Sequence, residues 1–345
     1  MPARSAAGMA TELDIIERIR RALASRKLPF GVRVGVGDDA AVVSTSPGRE
    51  LVATTDSFFE GRHFLADLHP PFVVGYKSLV RAVSDVAAMG GRPRYFLLML
   101  ALPLPRTGRW LNEFLAGLRQ ATTRIGIALV GGDILQNSRV AIAITVLGDV
   151  ASGRSIRRDG ASPGDLLCVS GTLGAAQLGL EVLERRRRFP AAWQEVLRPH
   201  FFPPIRVHLG QWLAGHRLAS AMIDISDGLS TDLGHLCRAS RIGARVWLDR
   251  LPAVRIPDLL RRRGFDPIDL ALHGGDDYEL LFTVPRRLAG KLTPRIRGVR
   301  VAVIGEMTRD KRILTVSSSG QVQPLRPRGW DHFRGVLEPA LSENR

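Results

Sequence analysis

The chemistry most visible in this 345-residue chain resides in aspartates that stand beside glycine or at the edges of apolar segments. Asp38 and Asp39 sit in Gly35-Val-Gly-Asp-Asp-Ala, Asp56 follows Thr54-Thr55, and Asp133 follows Gly131-Gly132. Asp85 sits in Ser84-Asp-Val-Ala-Ala-Met-Gly90, and Asp224 and Asp227 flank Ser226 ahead of Gly228. Adjacent carboxylates in apolar surroundings are costly, since two charges about 4 Å apart repel by roughly 4 kcal/mol at an effective dielectric of about 20. A cation offsets that cost. Oxygen-only clusters without histidine or cysteine select hard cations, and Mg²⁺ commonly shares such carboxylates with substrate phosphates. Phosphoryl transfer uses this arrangement, because neutralising and positioning the phosphate oxygens is most of the catalysis. The chain contains no G-x-x-x-x-G-K-[ST]. The residues therefore point to a Mg²⁺-dependent nucleotide enzyme without a P-loop, and leave the acceptor open.

The elements that must position these carboxylates alternate between strand and helix. Thr11 is expected to cap a helix carrying Leu13, Ile16, Ile19 and Leu23 at helical spacing. Neighbours along a strand face opposite ways, so Asp38 and Asp39 are not expected to share one metal through equivalent positions. Residues 51–55 predict a strand that ends at Asp56, and 128–130 a strand that ends in Gly131-Gly132-Asp133. Strands are also predicted over 95–102 and 140–147, and helices over 73–89 and 110–125. Lys77, Arg81 and Asp85, spaced i, i+4, i+8, share one face of the 73–89 helix, which by itself reads as an internal salt-bridge ladder. In the second half, strands at 166–170 and 221–225 each lead through a glycine turn into a helix, the latter over 229–239, and a strand covers 280–284. Asp224 and Ser226 share a strand face, while Asp227 stands at the helix entrance, as a ligand or an ordinary N-cap. The expected fold class is mixed α/β (α+β) in two domains, 11–153 and 154–345, after a disordered 1–10, with the boundary in the basic, turn-rich 154–163 stretch.

The net charge of +16 comes from 45 arginines and only four lysines. Arginine runs at 185–188 and 261–263 lack the interleaved aromatics that stack on bases, so they read as solvated faces rather than a nucleic-acid site. Cys168 and Cys237 have no metal-binding spacing. No apolar run reaches the roughly 18 residues of a membrane span. A cytoplasmic protein with no nucleic-acid or membrane partner is expected.

Taken in order, Gly35-Val-Gly-Asp-Asp-Ala, Thr54-Thr-Asp-Ser, Gly61-Arg-His-Phe64, Ser84-Asp-Val-Ala-Ala-Met-Gly90, Gly131-Gly-Asp133, Ile223-Asp-Ile-Ser-Asp-Gly-Leu229, Gly274-Gly-Asp-Asp-Tyr-Glu-Leu280 and Trp330-Asp-His-Phe333 resemble the motifs of the thiamine-monophosphate kinase family. That family lies within the superfamily of aminoimidazole ribonucleotide synthetase and selenophosphate synthetase. The resemblance spans residues 11–333. It implies ATP-dependent phosphorylation of thiamine monophosphate to thiamine diphosphate by direct in-line transfer, without a phosphoenzyme. It also implies a homodimer whose N-terminal sheets pair into a barrel, with the C-terminal domain closing each site. Carried over by motif, Asp39, Thr54, Thr55, Asp56, Asp85, Asp133, Asp224 and Asp227 would hold several Mg²⁺ ions. Gly132, Asp133, Arg158 and Ser226 would touch the nucleotide, and His63, Asp276 and Trp330 the thiamine phosphate. An aromatic face such as Trp330 attracts a thiazolium cation by about 0.5–2 kcal/mol. No dedicated general base is implied, because the attacking phosphate oxygen is already anionic.

Three positions depart from the family pattern. Ile134-Leu135 replace two threonines, Asp276 replaces a glutamate, and Phe202 stands where an arginine is usual. Two alternatives remain: another ATP-using superfamily member acting on a purine intermediate or selenide, and a basic nucleic-acid-binding module.

Overall fold

The computed structural model describes residues 12–23, 31–34, 42–43, 46–185 and 193–330. Helix α1 (Glu12–Leu23) leads to a small antiparallel pair, β1 (Val32–Val34) and β2 (Val42–Val43). Ile15 and Ile19 give α1 its buried stripe, while Thr11, Asp38 and Asp39 lie outside the described residues. There follow β3 (Arg49–Phe59), α2 (Pro71–Ala88), β4 (Arg92–Leu102), α3 (Arg109–Ile125), β5 (Ala128–Gln136) and β6 (Ala141–Ala151). The four strands form one open sheet in the order β3-β6-β4-β5, antiparallel except for β4 and β5. Among the described residues, a single chain therefore contains no closed barrel.

The strands of this sheet run further than predicted, and in β3 and β5 the extension moves site residues. β3 pairs with β6 from Arg49↔Ala151 to Phe59↔Ala141, so Asp56 lies inside the strand rather than at its end. β5 continues through Gly131-Gly132-Asp133 because β4 pairs with it in parallel as far as Leu102↔Gln136. In both cases the ladder partner, absent from a local reading, carries the strand on.

Helix α2 is apolar nearly all round, as expected of a helix buried on every side. Pro71 opens it at a position where a missing N–H costs nothing. It crosses α3 so closely that a Cβ on Gly75 would stand 2.0 Å from the Phe114 carbonyl, and one on Gly117 1.8 Å from the Phe72 carbonyl. These two glycines set the helix separation.

The second half contains β7 (Leu166–Ser170), α4 (Ala175–Arg185), α5 (Gln194–Phe201), α6 (Val207–Gly215), β8 (Ala221–Ile225), α7 (Leu229–Ser240) and β9 (Gly243–Trp247). It continues with α8 (Asp258–Arg261), α9 (Pro267–His273), β10 (Glu279–Val284), β11 (Arg295–Ile296), β12 (Val299–Thr308), β13 (Ile313–Val316) and β14 (Val322–Pro324). Its sheet runs β14-β13-β9-β12-β7-β10-β8, with β11 paired to β12. One apolar core joins α2 and the first sheet to Cys168, Met222, Leu280 and Phe282 of the second. Helix α2 thus lies between the sheets, and its polar residues reach groups on both. Among the described residues no helix is long and apolar enough to cross a membrane.

Candidate active site

Strand β8 is buried along its length and delivers Asp224 to the edge of a cavity of about 510 Å³. The chain then turns through Gly228, whose φ of +105° favours glycine, into α7. No side chain caps α7, so Asp227 is not its N-cap. Ser226, Asp227, Asp56 and Asp85 line the same cavity.

Asp85 comes from α2 and accepts a 2.6 Å hydrogen bond from Thr54 Oγ1. Asp224 accepts a 2.7 Å bond from Ser84 Oγ. Burial raises both carboxyls, and neighbouring negative charge raises them further: Asp56 acts on Asp85, and Asp85 pushes Asp224 up to about 7. Arg158 opposes both shifts. It lines a second cavity of about 590 Å³ together with Thr54 and Asp85. Asp85 therefore stands where the two cavities meet. Asp56 is engaged differently, by Arg81, whose Nε lies 3.1 Å from Asp56 Oδ2.

The predicted ladder on α2 does not form. Lys77 is wholly buried and reaches Asp276 Oδ2 at 2.8 Å, Arg81 takes Asp56, and Asp85 takes Thr54. The three share a helix face as the spacing requires, but each finds its partner on another element. Asp276 has φ +67°, and its other oxygen accepts from Tyr278 Oη at 2.8 Å. Burial alone would raise its carboxyl, yet Lys77 and Arg81 hold it well below the usual range. Behind Lys77, His200 Nδ1 lies 3.3 Å away and His200 Nε2 is 2.9 Å from His69 Nε2. Burial and the Lys77 charge lower both imidazoles, His69 to about 4.

His63 lines the first cavity, and its Nδ1 accepts from the Phe59 N–H at 3.0 Å. Trp330 lines the same cavity, its backbone N–H donating to the Asp227 carbonyl at 3.0 Å. Asp276 lines the cavity too. The structure thus brings together Asp56, Asp85, Asp224, Asp227, Ser226, His63, Asp276 and Trp330, with Thr54 and Arg158 beside them.

Three sequence-predicted residues are not brought in. Thr55 pairs across β6 with Thr145, their hydroxyls 3.1 Å apart, on the sheet face opposite Thr54 and Asp56. Asp133 pairs with Met99, which pairs with Ala143 and thence Ser57, so it shares the Thr55 face. Directly paired residues point the same way, and alternation along β3 puts Asp56 on the other side. Gly132 lies in the row of Leu98, Ile144 and Asp56, but on the far edge strand.

Sequence reasoning missed Ser84, Arg62, Arg81 as a partner of Asp56, and the His69–His200 pair. It also missed Asp232 and His235, whose ligand atoms and that of Asp227 lie within 4.8 Å of one another. Their i, i+3 spacing at the start of α7 was the available signal. The departures have physical outcomes as well. Phe202 packs edge-on against Tyr76 with centroids 5.2 Å apart, Ile134 is half-buried against the core, and Leu135 is exposed.

Two sheets held by one central helix, with carboxylates gathered between them, define the class. Residues 37–150 match the AIR synthase related protein N-terminal domain, and residues 162–316 match the AIR synthase related protein C-terminal domain. Within that class, the thiamine-monophosphate kinase of Salmonella typhimurium is 37% identical over 329 residues, 93% of this chain and 98% of that protein. The chain belongs to the thiamine-monophosphate kinase family. A solved thiamine-monophosphate kinase from Stenotrophomonas maltophilia is 34% identical with a TM-score of 0.75, covering 87% of this chain and 95% of that one. AaThiL, solved in complex with AMPPCP and TMP, is 30% identical with a TM-score of 0.75, covering 93% and 97%.

Proposed function

We propose that this chain transfers the terminal phosphoryl group of ATP to the phosphate of thiamine monophosphate, giving thiamine diphosphate. The observation that carries the reading is Asp85 at the junction of two cavities, with Arg158 in one and Trp330 with Asp276 in the other. A donor and an acceptor seated in adjoining cavities meet at that carboxylate, which suits direct in-line transfer. The likeness to AaThiL complexed with AMPPCP and TMP supports the same pair of substrates.

The residues fit Mg²⁺. The donor atoms of Asp56, Asp85, Asp224 and Asp227, with Thr54 beside them, are all oxygen, and burial together with neighbouring negative charge raises the Asp85 and Asp224 carboxyls, a cost that a bound cation would relieve. Mg²⁺ held there would neutralise the phosphate oxygens. The chain's own groups then do the positioning. Thr54 and Ser84 fix carboxylate orientation, Arg158 and Ser226 face the nucleotide, and Trp330, His63 and Asp276 hold the thiamine moiety. The acceptor phosphate oxygen is anionic, so no side chain need remove a proton.

The N-terminal 11–153 and C-terminal 154–345 units are the proposed domains, and Asp39 is a proposed ligand. The sheet face opposite α2 carries exposed Leu51 and Leu135 beside Thr55 and Asp133. A homodimer that covers this face is proposed, and the ligand and nucleotide roles of Thr55, Gly132 and Asp133 depend on that assembly. The reaction is placed in the cytoplasm.

An ADP-release assay across thiamine monophosphate, thiamine, aminoimidazole precursors and selenide tests the reading. ADP formation that requires both thiamine monophosphate and Mg²⁺ supports it. Turnover with a purine intermediate or selenide instead overturns it.

A further inference from the structure

The last described residues form a strap pinned to the second sheet's helices. Arg328 donates to Asp269 and to His273 Nε2, Gly329 N–H to Thr231 Oγ1 at 3.2 Å, and Trp330 N–H to the Asp227 carbonyl at 3.0 Å. From the other side of the cavity, the turn after β3 presents Arg62. Its backbone is fixed by hydrogen bonds from Gly61 N–H to the Phe64 carbonyl at 2.8 Å and from Arg62 N–H to the Phe59 carbonyl at 3.2 Å. The side chain crosses the cavity mouth and places its guanidinium carbon 4.5 Å from the Trp330 ring centroid.

An aromatic face takes one cation at a time. In this structure the cation on Trp330 belongs to the protein itself. We infer that Arg62 reads the phosphate of the substrate: it yields the Trp330 face to the thiazolium and turns its guanidinium to the phosphate of the same molecule. The inference rests on the thiamine-monophosphate reading of this cavity.

The exchange follows from charge. A thiazolium that stacks on Trp330 displaces a guanidinium of the same sign, and the hydrogen bonds that hold the Gly61–Arg62 backbone keep the released group at the cavity. A phosphate ester arriving with the thiazolium offers the guanidinium an anion in bidentate geometry. Thiamine, a cation without the phosphate, must displace Arg62 without offering it a new partner. Thiamine monophosphate replaces the lost contact with a charge-assisted one. Arg62 thereby converts a cation site into a site for a molecule with both charges, and acts as a specificity residue.

Binding of thiamine monophosphate and of thiamine to the full chain, followed by calorimetry for wild type, Arg62→Ala and Trp330→Leu, tests this. Arg62→Ala should weaken thiamine monophosphate by about tenfold or more, the scale of one lost charged hydrogen-bond pair. Thiamine should bind Arg62→Ala as tightly as wild type or tighter, since its competitor for the ring is gone. Trp330→Leu should weaken both ligands. An unchanged ratio of the two affinities in Arg62→Ala overturns the inference while leaving the kinase reading intact. A wild-type chain that binds neither ligand removes the kinase reading, and the inference with it.

Discussion

Two polar clusters reach one cavity, one through Asp276 and His200 and the other through Asp85 and Asp224, and they are built on opposite principles. On one side, Lys77, Asp276, His200 and His69 compensate one another: a buried cation meets a carboxylate at 2.8 Å, and two imidazoles stay neutral behind it. On the other, burial and neighbouring negative charge raise both carboxyls, Asp56 acting on Asp85 and Asp85 on Asp224, while the Thr54 and Ser84 hydroxyls donate to them. The first cluster is finished within the chain. The second is left with excess negative charge, as a site for a cation and phosphates requires. Both hang on α2, so a single buried helix holds a settled scaffold and an unsettled site about two turns apart.

The largest effect should come from breaking the settled side. Lys77→Met removes the cation hydrogen-bonded to Asp276 and leaves only the more distant Arg81 charge; breaking a buried pair costs about 3–5 kcal/mol, and the partial exposure of Asp276 puts the loss at the lower end of that range. Chemical denaturation should show this as a lower midpoint with an unchanged slope. Lys77→Met combined with Asp276→Asn, which removes the charge and tolerates the positive φ there, should recover most of the loss. If it does not, the pair is not the cause.

The acidic side should respond in the reverse sense. Asp224→Asn relieves like-charge repulsion, so the metal-free chain should be as stable as wild type or more stable. Turnover should fall by about a hundredfold or more, roughly 2.7 kcal/mol of barrier. A variant that is destabilised yet active would contradict the contrast between the clusters.

How far this contrast was legible in the sequence can be followed residue by residue. The β8-turn-α7 signature gave Asp224, Ser226 and Asp227 together, because strand period and a glycine turn are local properties. The face of α2 that carries Lys77, Arg81 and Asp85 was equally visible, but their partners were not. Asp276 lies 199 residues from Lys77 and Asp56 lies 25 from Arg81, so spacing within the helix suggested a ladder that the fold replaced with three outside contacts. Thr55 is a different case. Strand alternation alone separates it from Thr54 and Asp56, and the motif drew all three together against that period. Asp133 could not be placed without the register of β4 and β6.

The pH response of the metal-free protein should separate the clusters again. Asp224 is raised from 3.8 to about 7 when folded, so between these values the folded chain holds more protons than the unfolded one. Its contribution to stability therefore falls as pH rises through that window. His69 is lowered from 6.5 to about 4, so its contribution is lost as pH falls through that window. Urea midpoints across pH 4–7 should show Asp224→Asn gaining on wild type as pH rises. His69→Gln should gain on wild type as pH falls. Parallel profiles would mean that the two carboxyls and the two imidazoles do not carry the difference.

The smallest effect concerns how the acidic side keeps its shape while uncompensated. Thr54 Oγ1 donates to Asp85, and a net hydrogen bond of this kind is worth about 1 kcal/mol. Thr54→Val removes the donor but keeps the β-branched shape that suits β3. Because the hydroxyl favours the ionised carboxyl, its loss should raise the Asp85 carboxyl further and weaken the hold on a cation. The Mg²⁺ concentration for half-maximal turnover should then rise by about fivefold, equivalent to about 1 kcal/mol, with little change in the metal-free denaturation midpoint. Thr54→Ser, which restores the hydroxyl and removes only a methyl, should return the wild-type Mg²⁺ dependence. If serine behaves as valine does, Thr54 serves the site by packing in β3, and the hydroxyl bond to Asp85 is incidental.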